Sequence, residues 1–225
     1  AAGAVEQARE AQDLGAAGVF VAPISVQNDE VIFDYYASVA DALEIPVAIH
    51  DFPESFQTIL SAELVARMAN EIDGVSYIKL EDYPVLSKMS RIQKLAPESI
   101  GIFGGLGGVY FLEELQRGSR GIMTGFAFPE VLLEVYESFR GGDLERAASV
   151  FDHYISLIRY EFQPKIGLAY RKYIYHRRGV IESTFIRPPG MQIDDYTSAE
   201  LVSIIERVGF SLDTIGVQRV QLTAS

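Results

Sequence analysis

Apolar positions along the chain follow two alternating rhythms. Short β-branched runs recur every few tens of residues, and each is flanked by a segment whose apolar residues repeat at three- and four-residue spacing. Five runs stand out: 18–23 (GVFVAP), 46–50 (PVAIH), 75–79 (VSYIK), 100–104 (IGIFG) and 120–124 (RGIMT). Most of their positions are apolar on both faces, which predicts strands covered on both sides in a parallel sheet. The alternation itself predicts consecutive βα units.

Helix signals fill the gaps. Ser61 is the expected N-cap of a helix whose apolar stripe is Leu64, Val65, Met68 and Ile72. Gly141 and Gly142 mark a stop and Asp143 a new start. Thr197 and Glu200 have the spacing of a capping box, followed by the stripe Leu201, Ile204, Ile205 and Val208 and the terminator Gly209. Beyond the fifth run the pattern is almost purely helical, over 129–178 and again from 197. Residues 3–14 already carry helical spacing (Val5, Ala8, Ala11, Leu14) with no strand before them. Five parallel strands do not close a barrel that needs about eight, and a strand at 19–22 with no earlier neighbour would be an exposed edge. The pattern therefore allows two architectures. One is an open doubly wound sheet, and the other is the last five units of a (β/α)8 barrel whose first three precede this chain.

Composition narrows the function more than the fold. The chain has 225 residues, 48% hydrophobic and 22% charged, the balance of a globular domain. Its 19 Lys and Arg against 31 Asp and Glu leave a net charge of -12, which repels phosphate backbones and anionic lipid. Neither nucleic acid nor a membrane is an expected partner. No apolar run approaches the roughly 18 residues of a membrane span, and the start lacks a signal-peptide pattern; the expected location is cytoplasmic. Cysteine is absent, which excludes zinc-thiolate sites, iron-sulfur clusters and a cysteine nucleophile.

In both architectures ligands lie at the carboxyl ends of the strands. Lys79 is such a residue. Period-two alternation places Val75, Tyr77 and Lys79 on one strand face and Ser76, Ile78 and Leu80 on the other. Desolvation inside a barrel would favour the neutral amine that attacks a ketone; the alternative is a lysine just past the strand end that reaches solvent. His50 ends the neighbouring run in the segment HDFP. Adjacent strands are about 4.8 Å apart, so His50 and Lys79 can aim at one small volume, with the imidazole passing protons, unless it merely bonds a loop. The loop Gly104-Gly105-Leu106-Gly107-Gly108 follows the fourth run. Its spacing does not match a nucleotide fingerprint, because Tyr110 stands where G-x-G-x-x-G needs glycine. What remains is a tight turn or a backbone that approaches a ligand closely. His153 and His176 lack metal-ligand spacing. Glu81 and Asp82 are either metal ligands or a solvated loop. No Gly-x-Ser-x-Gly elbow is present.

A strand ending in HDFP, a later strand ending in Ile78-Lys79, a glycine loop after the next strand and the segment GIMTGFAFPE together resemble the N-acetylneuraminate lyase and dihydrodipicolinate synthase superfamily. The similarity runs from about Ala4 to Gly209 and takes in Gly142-Asp143 and Arg187-Pro188-Pro189. The resemblance implies an α/β fold, a (β/α)8 barrel with a C-terminal helical extension, whose first three strands lie before Ala1. Residues 1–128 would then form strands four to eight with their helices, and 129–225 the last barrel helix and the extension, in the same structural unit. It also implies a homotetramer, and neither a metal nor a cofactor is expected.

In this family a lysine condenses with the ketone of pyruvate or another 2-keto acid, and Lys79 matches it. The protonated imine is an electron sink that permits cleavage of a bond at C3, or loss of water from the next carbon. The family motif Tyr-Asn-x-Pro is His50-Asp51-Phe52-Pro53 here, which makes His50 the candidate acid/base in place of the tyrosine. Ser55 stands where dihydrodipicolinate synthases carry an arginine for the aldehyde's carboxylate, and Gly107 and Gly108 stand where sialic acid lyases carry an acidic pair. Both of those activities are disfavoured. The family's Gly-Thr-Thr-Gly-Glu segment, which holds the keto acid's carboxylate, would precede Ala1. The expected function is a Schiff-base lyase, a dehydratase or aldolase of a 2-keto-3-deoxy sugar acid such as a 2-keto-3-deoxyarabonate. Catalysis falls to Lys79 and His50, and substrate contacts to Gly105, Leu106, Thr124 and Gly125. The alternatives are a condensing enzyme using pyruvate and a non-catalytic keto-acid-binding relative.

Overall fold

The computed structural model describes residues 1–214 and 216–222. All five apolar runs are strands: β1 (Val19–Val21), β2 (Val47–Asp51), β3 (Val75–Leu80), β4 (Gly101–Gly104) and β5 (Gly121–Ile122). Between and after them run α1 (Ala2–Asp13), α2 (Asp29–Ala40), α3 (Pro53–Phe56), α4 (Ala62–Glu71), α5 (Val85–Leu95), α6 (Phe111–Gln116), α7 (Pro129–Arg140), α8 (Leu144–Glu161), α9 (Gly167–Arg177) and α10 (Asp195–Arg207). The chain divides into two compact units, Ala1–Gly105 with Glu113–Met123, and Leu106–Leu112 with the chain from Thr124 on.

The first unit holds the whole sheet. Its strands are all parallel and stand in the order β1-β2-β3-β4-β5, each beside its successor in sequence. A doubly wound sheet reverses strand order at a switch point, and no reversal occurs here. The doubly wound alternative is therefore set aside. Sequential parallel strands joined by right-handed crossovers place their helices on one side, and α1, α2, α4 and α5 pack successively against one another as such a layer does. This is the arrangement of consecutive strands in a (β/α)8 wall.

The two faces of the sheet differ sharply. Val21, Ile49, Ile78 and Ile102 are in register across the four longer strands and are all buried, with Leu80 beside them at 0% exposure. α4 packs against β3 on this side and buries Leu64, Val65 and Met68. Each such side chain contributes about 1.5–3 kcal/mol of burial. The other face carries Phe20, Ala48, His50, Tyr77, Lys79 and Phe103. The expected alternation holds from Tyr77 to Leu80, but Val75 leaves it. A register shift between Val47 and Ala48 makes Val75 the partner of Val47, and both are buried on the helix side. A bulge adds one residue and so reverses the parity beyond it.

Local signals held where a cap is visible. Ser61 accepts from Leu64 N–H at 3.0 Å and Asp143 from Arg146 N–H at 2.9 Å. The last helix is the exception. Asp194 caps it by accepting from Thr197 N–H at 2.7 Å, so α10 begins before Thr197, and Glu200 instead accepts the Tyr160 hydroxyl at 2.5 Å. An aspartate is as good an N-cap as a threonine, and the earlier start adds helical residues at no cost.

In the second unit, α7 and α8 form the main helix pair. Residues 125–128 are tied to the helical region by buried charge: Glu161, 1% exposed, accepts Ala127 N–H at 3.0 and 3.1 Å and Arg171 Nε at 2.9 Å. Burial raises the Glu161 carboxyl to about 7 against the pull of Ala127 and Arg171.

Candidate active site

His50 and Lys79 are register partners at the ends of β2 and β3. Because parallel partners point the same way, both side chains rise from the face opposite the helices. They converge on a third group. Glu81 lies two residues past Lys79, and period two returns it to the same side. Its Oε2 is 2.8 Å from Lys79 Nζ and 2.9 Å from His50 Nε2. The three side chains are 16%, 13% and 8% exposed, so the amine lies in a sheltered pair and not in bulk water. The sequence predicts a desolvated, neutral amine at Lys79; the structure instead pairs that amine with the Glu81 carboxylate, an acceptor in contact for a proton leaving nitrogen.

An apolar wall surrounds the imidazole. The Phe20 ring stacks on His50 with centroids 4.2 Å apart, Phe56 meets it edge-on at 4.9 Å, and Phe52 lies at 5.8 Å. Lys79 Nζ is 5.7 Å above the Phe20 ring. Packing of this kind fixes the ring plane and lowers the local dielectric, which strengthens the charge contacts to Glu81.

Behind the site lie further charges. Asp51, the residue after His50, faces the helices at 0% exposure, and Lys88 Nζ of α5 sits 2.5 Å from its Oδ2. Burial raises the Asp51 carboxyl to about 6 in spite of that cation. Glu114 of α6 is fully buried, and among the described residues neither of its oxygens has a hydrogen-bond partner. Burial first, then Glu113 and Glu81, push its carboxyl up to about 8.

The other predicted contacts fall in two places. Gly105 belongs to the first unit, and a Cβ there would overlap the Glu81 side chain. The glycine is needed for the close approach of that carboxylate. Leu106, Thr124 and Gly125 belong to the second unit. Leu106 is buried at φ +44°, ahead of Gly107 and Gly108, also at positive φ, and the Phe162 ring occupies the space a Gly107 side chain would need. Thr124 Oγ1 accepts from Phe126 N–H at 3.3 Å. The Gly125 carbonyl accepts from the Tyr175 hydroxyl at 3.2 Å, and the missing Cβ of Gly125 leaves room for the Arg171 guanidinium. Glu81 and Asp82 turn to different cations, Lys79 and Lys88, and among the described residues no cluster of three acidic or histidine side chains has metal-binding geometry.

The family profile for the Dihydrodipicolinate synthetase family matches residues 1–208. The chain belongs to that family. A relative within it, the L-2-keto-3-deoxyarabonate dehydratase of Azospirillum brasilense, is 34% identical over 204 residues, 88% of this chain and 65% of the relative. A 4-hydroxy-tetrahydrodipicolinate synthase of Chlorobaculum parvum is 26% identical over 92% of this chain and 70% of its own length. The crystal structure of the family member from Rhodopseudomonas palustris, a dihydrodipicolinate synthase, superposes with a TM-score of 0.84 at 30% identity, covering 90% of this chain and 69% of that one. The chain thus spans about two thirds of the length of these family members, and the likeness identifies β1 to β5 with part of a barrel wall.

Proposed function

We propose that the protein is a Schiff-base lyase acting on a 2-keto acid, and specifically a dehydratase or aldolase of a 2-keto-3-deoxy sugar acid. The observation that carries this reading is the convergence of an amine and an imidazole on a single carboxylate oxygen, Glu81 Oε2. The Lys79 amine adds to the ketone carbon while Glu81 takes the proton shed by nitrogen. His50 or Glu81 returns a proton to the carbinolamine oxygen, which leaves as water and gives the iminium. Loss of a C3 proton then forms the enamine. Its electron pair expels the C4 hydroxyl, which leaves as water on taking back the proton removed from C3; in the aldolase branch the iminium instead draws in the C3–C4 bond pair as the C4 hydroxyl gives up its proton, which releases an aldehyde and leaves the enamine.

Dehydration is the favoured outcome. The named dehydratase is more similar in sequence than the Chlorobaculum synthase, and Ser55, exposed beside the site, offers no cation for an aldehyde's carboxylate. No described helix is long and apolar enough to cross a membrane; a cytoplasmic homotetramer is the assembly we propose with this activity. Assays on a panel of pentonate- and hexonate-derived 2-keto-3-deoxy acids test the reading. Expected is a product lighter by one water from at least one of them, lost in Lys79→Ala. Inertness of the active-site-intact protein toward the whole panel would contradict it.

A further inference from the structure

The residues directly after His50 and Glu81 are both aspartates, and both turn to one cation. Lys88 Nζ of α5 lies 2.5 Å from Asp51 Oδ2 and 2.8 Å from Asp82 Oδ2. Lys88 is 9% exposed, Asp51 is 0% and Asp82 is 17%. We propose that Lys88 is a positioning residue, a buried ammonium that ties the ends of β2 and β3 together so that His50, Lys79 and Glu81 meet at one point. The inference rests on the Schiff-base reading of Lys79 and adds a residue from the opposite face of the sheet.

The geometry explains why a clamp is needed. The last backbone bond between the two strand ends runs from Glu81 N–H to the Asp51 carbonyl at 2.8 Å. That bond joins Asp51, the residue after His50, to Glu81, on which the site converges. Beyond it Asp51, Glu81 and Asp82 bring three carboxylates to one strand end, and like charges there push the ends apart. On the open face Lys79 answers Glu81; on the helix face Lys88 answers the other two. Lys88 is itself fixed, since its N–H bonds the Pro84 carbonyl at 3.1 Å in the first turn of α5. Lys88 is in contact with the fully buried Asp51 carboxylate, and its removal would leave a buried anion without that cation. A shift of the β2 end by a fraction of an ångström moves His50 away from Glu81 without touching either residue.

The same two carboxylates distinguish Lys88 from Lys79. Both lysines are sheltered, but Lys88 is held between two anions on the helix side, whereas Lys79 shares its carboxylate with an imidazole on the open face. Covalent capture of a keto acid therefore belongs to Lys79 alone.

Reductive trapping with pyruvate and borohydride tests the clamp on wild type, Lys88→Met, Lys88→Arg and the double variant Asp51→Asn/Lys88→Met. The double variant leaves no buried aspartate opposite the lost cation, and it carries the test should Lys88→Met fail to fold. Folded charge-removed variants are expected to form the Lys79 adduct about 10- to 100-fold more slowly at saturating pyruvate, with the half-saturating pyruvate concentration held. Lys88→Arg is expected to recover most of the rate. A folded double variant that traps at the wild-type rate, or wild type adducted at Lys88, overturns the clamp. Wild type with no adduct at Lys79 overturns the parent reading instead.

Discussion

Among single residues, Glu81 is central to the proposed proton transfers. One oxygen that touches both an amine and an imidazole is placed to carry protons between them, and a glutamine in its place keeps the shape but neither the charge nor the basicity. Glu81→Gln is expected to lower turnover about 10²- to 10⁴-fold, the usual contribution of a positioned acid/base, with little change in melting temperature; steady-state kinetics beside calorimetry check it. Glu114 poses the opposite case, a buried carboxyl with no hydrogen-bond partner among the described residues. Its folded-state pKa of about 8 stands above the ordinary 4.5. The folded chain therefore binds more protons than the unfolded chain between those values. The contribution of Glu114 to stability is fully present below about pH 4.5 and is lost as pH rises through about 8. Glu114→Met is expected to melt higher than wild type at pH 8, by about 1–3 kcal/mol of relieved desolvation, and the gain should shrink toward pH 5. A gain independent of pH would contradict it.

At the scale of elements, the strand ends are readable from sequence and the contacts between them only in part. Lys79 and His50 were legible because a dense apolar run ends on each, and adjacent parallel strands bring their ends together. Glu81 was within reach of the same logic, since a period of two that places Lys79 also places the residue two further on. Paired with Asp82 as a loop or metal feature, it was missed. Phe20 gave no signal beyond its apolarity, because its stacking on His50 depends on a register that no local pattern encodes. Asp51 and Lys88 were hidden for the same reason, being far apart in sequence and joined only through the fold. The glycine loop was legible as a close approach, but what approaches Gly105 is the chain's own Glu81. Gly105→Ala is accordingly expected to displace that carboxylate and to cut turnover while leaving the melting temperature of the sheet nearly unchanged. Equal activity of the alanine variant would show that the glycine serves another purpose.

At the scale of the whole molecule, parallel βα alternation announced the fold class, because buried parallel strands are apolar on both faces and stand out against amphipathic helices. Periodicity could not choose between a doubly wound sheet and a barrel wall, since strand order is a tertiary property. The sequential order β1 to β5 decided it. The start of α10 was misplaced by competition between two caps, Asp194 and Thr197, that differ little in intrinsic strength. The proposed chemistry rests on one covalent event on that wall. Peptide mass mapping after incubation with pyruvate and borohydride is the decisive test: a reduced pyruvyl adduct is expected on the peptide containing Lys79 and none in Lys79→Ala, and an unmodified Lys79 across several 2-keto acids would contradict the Schiff-base reading.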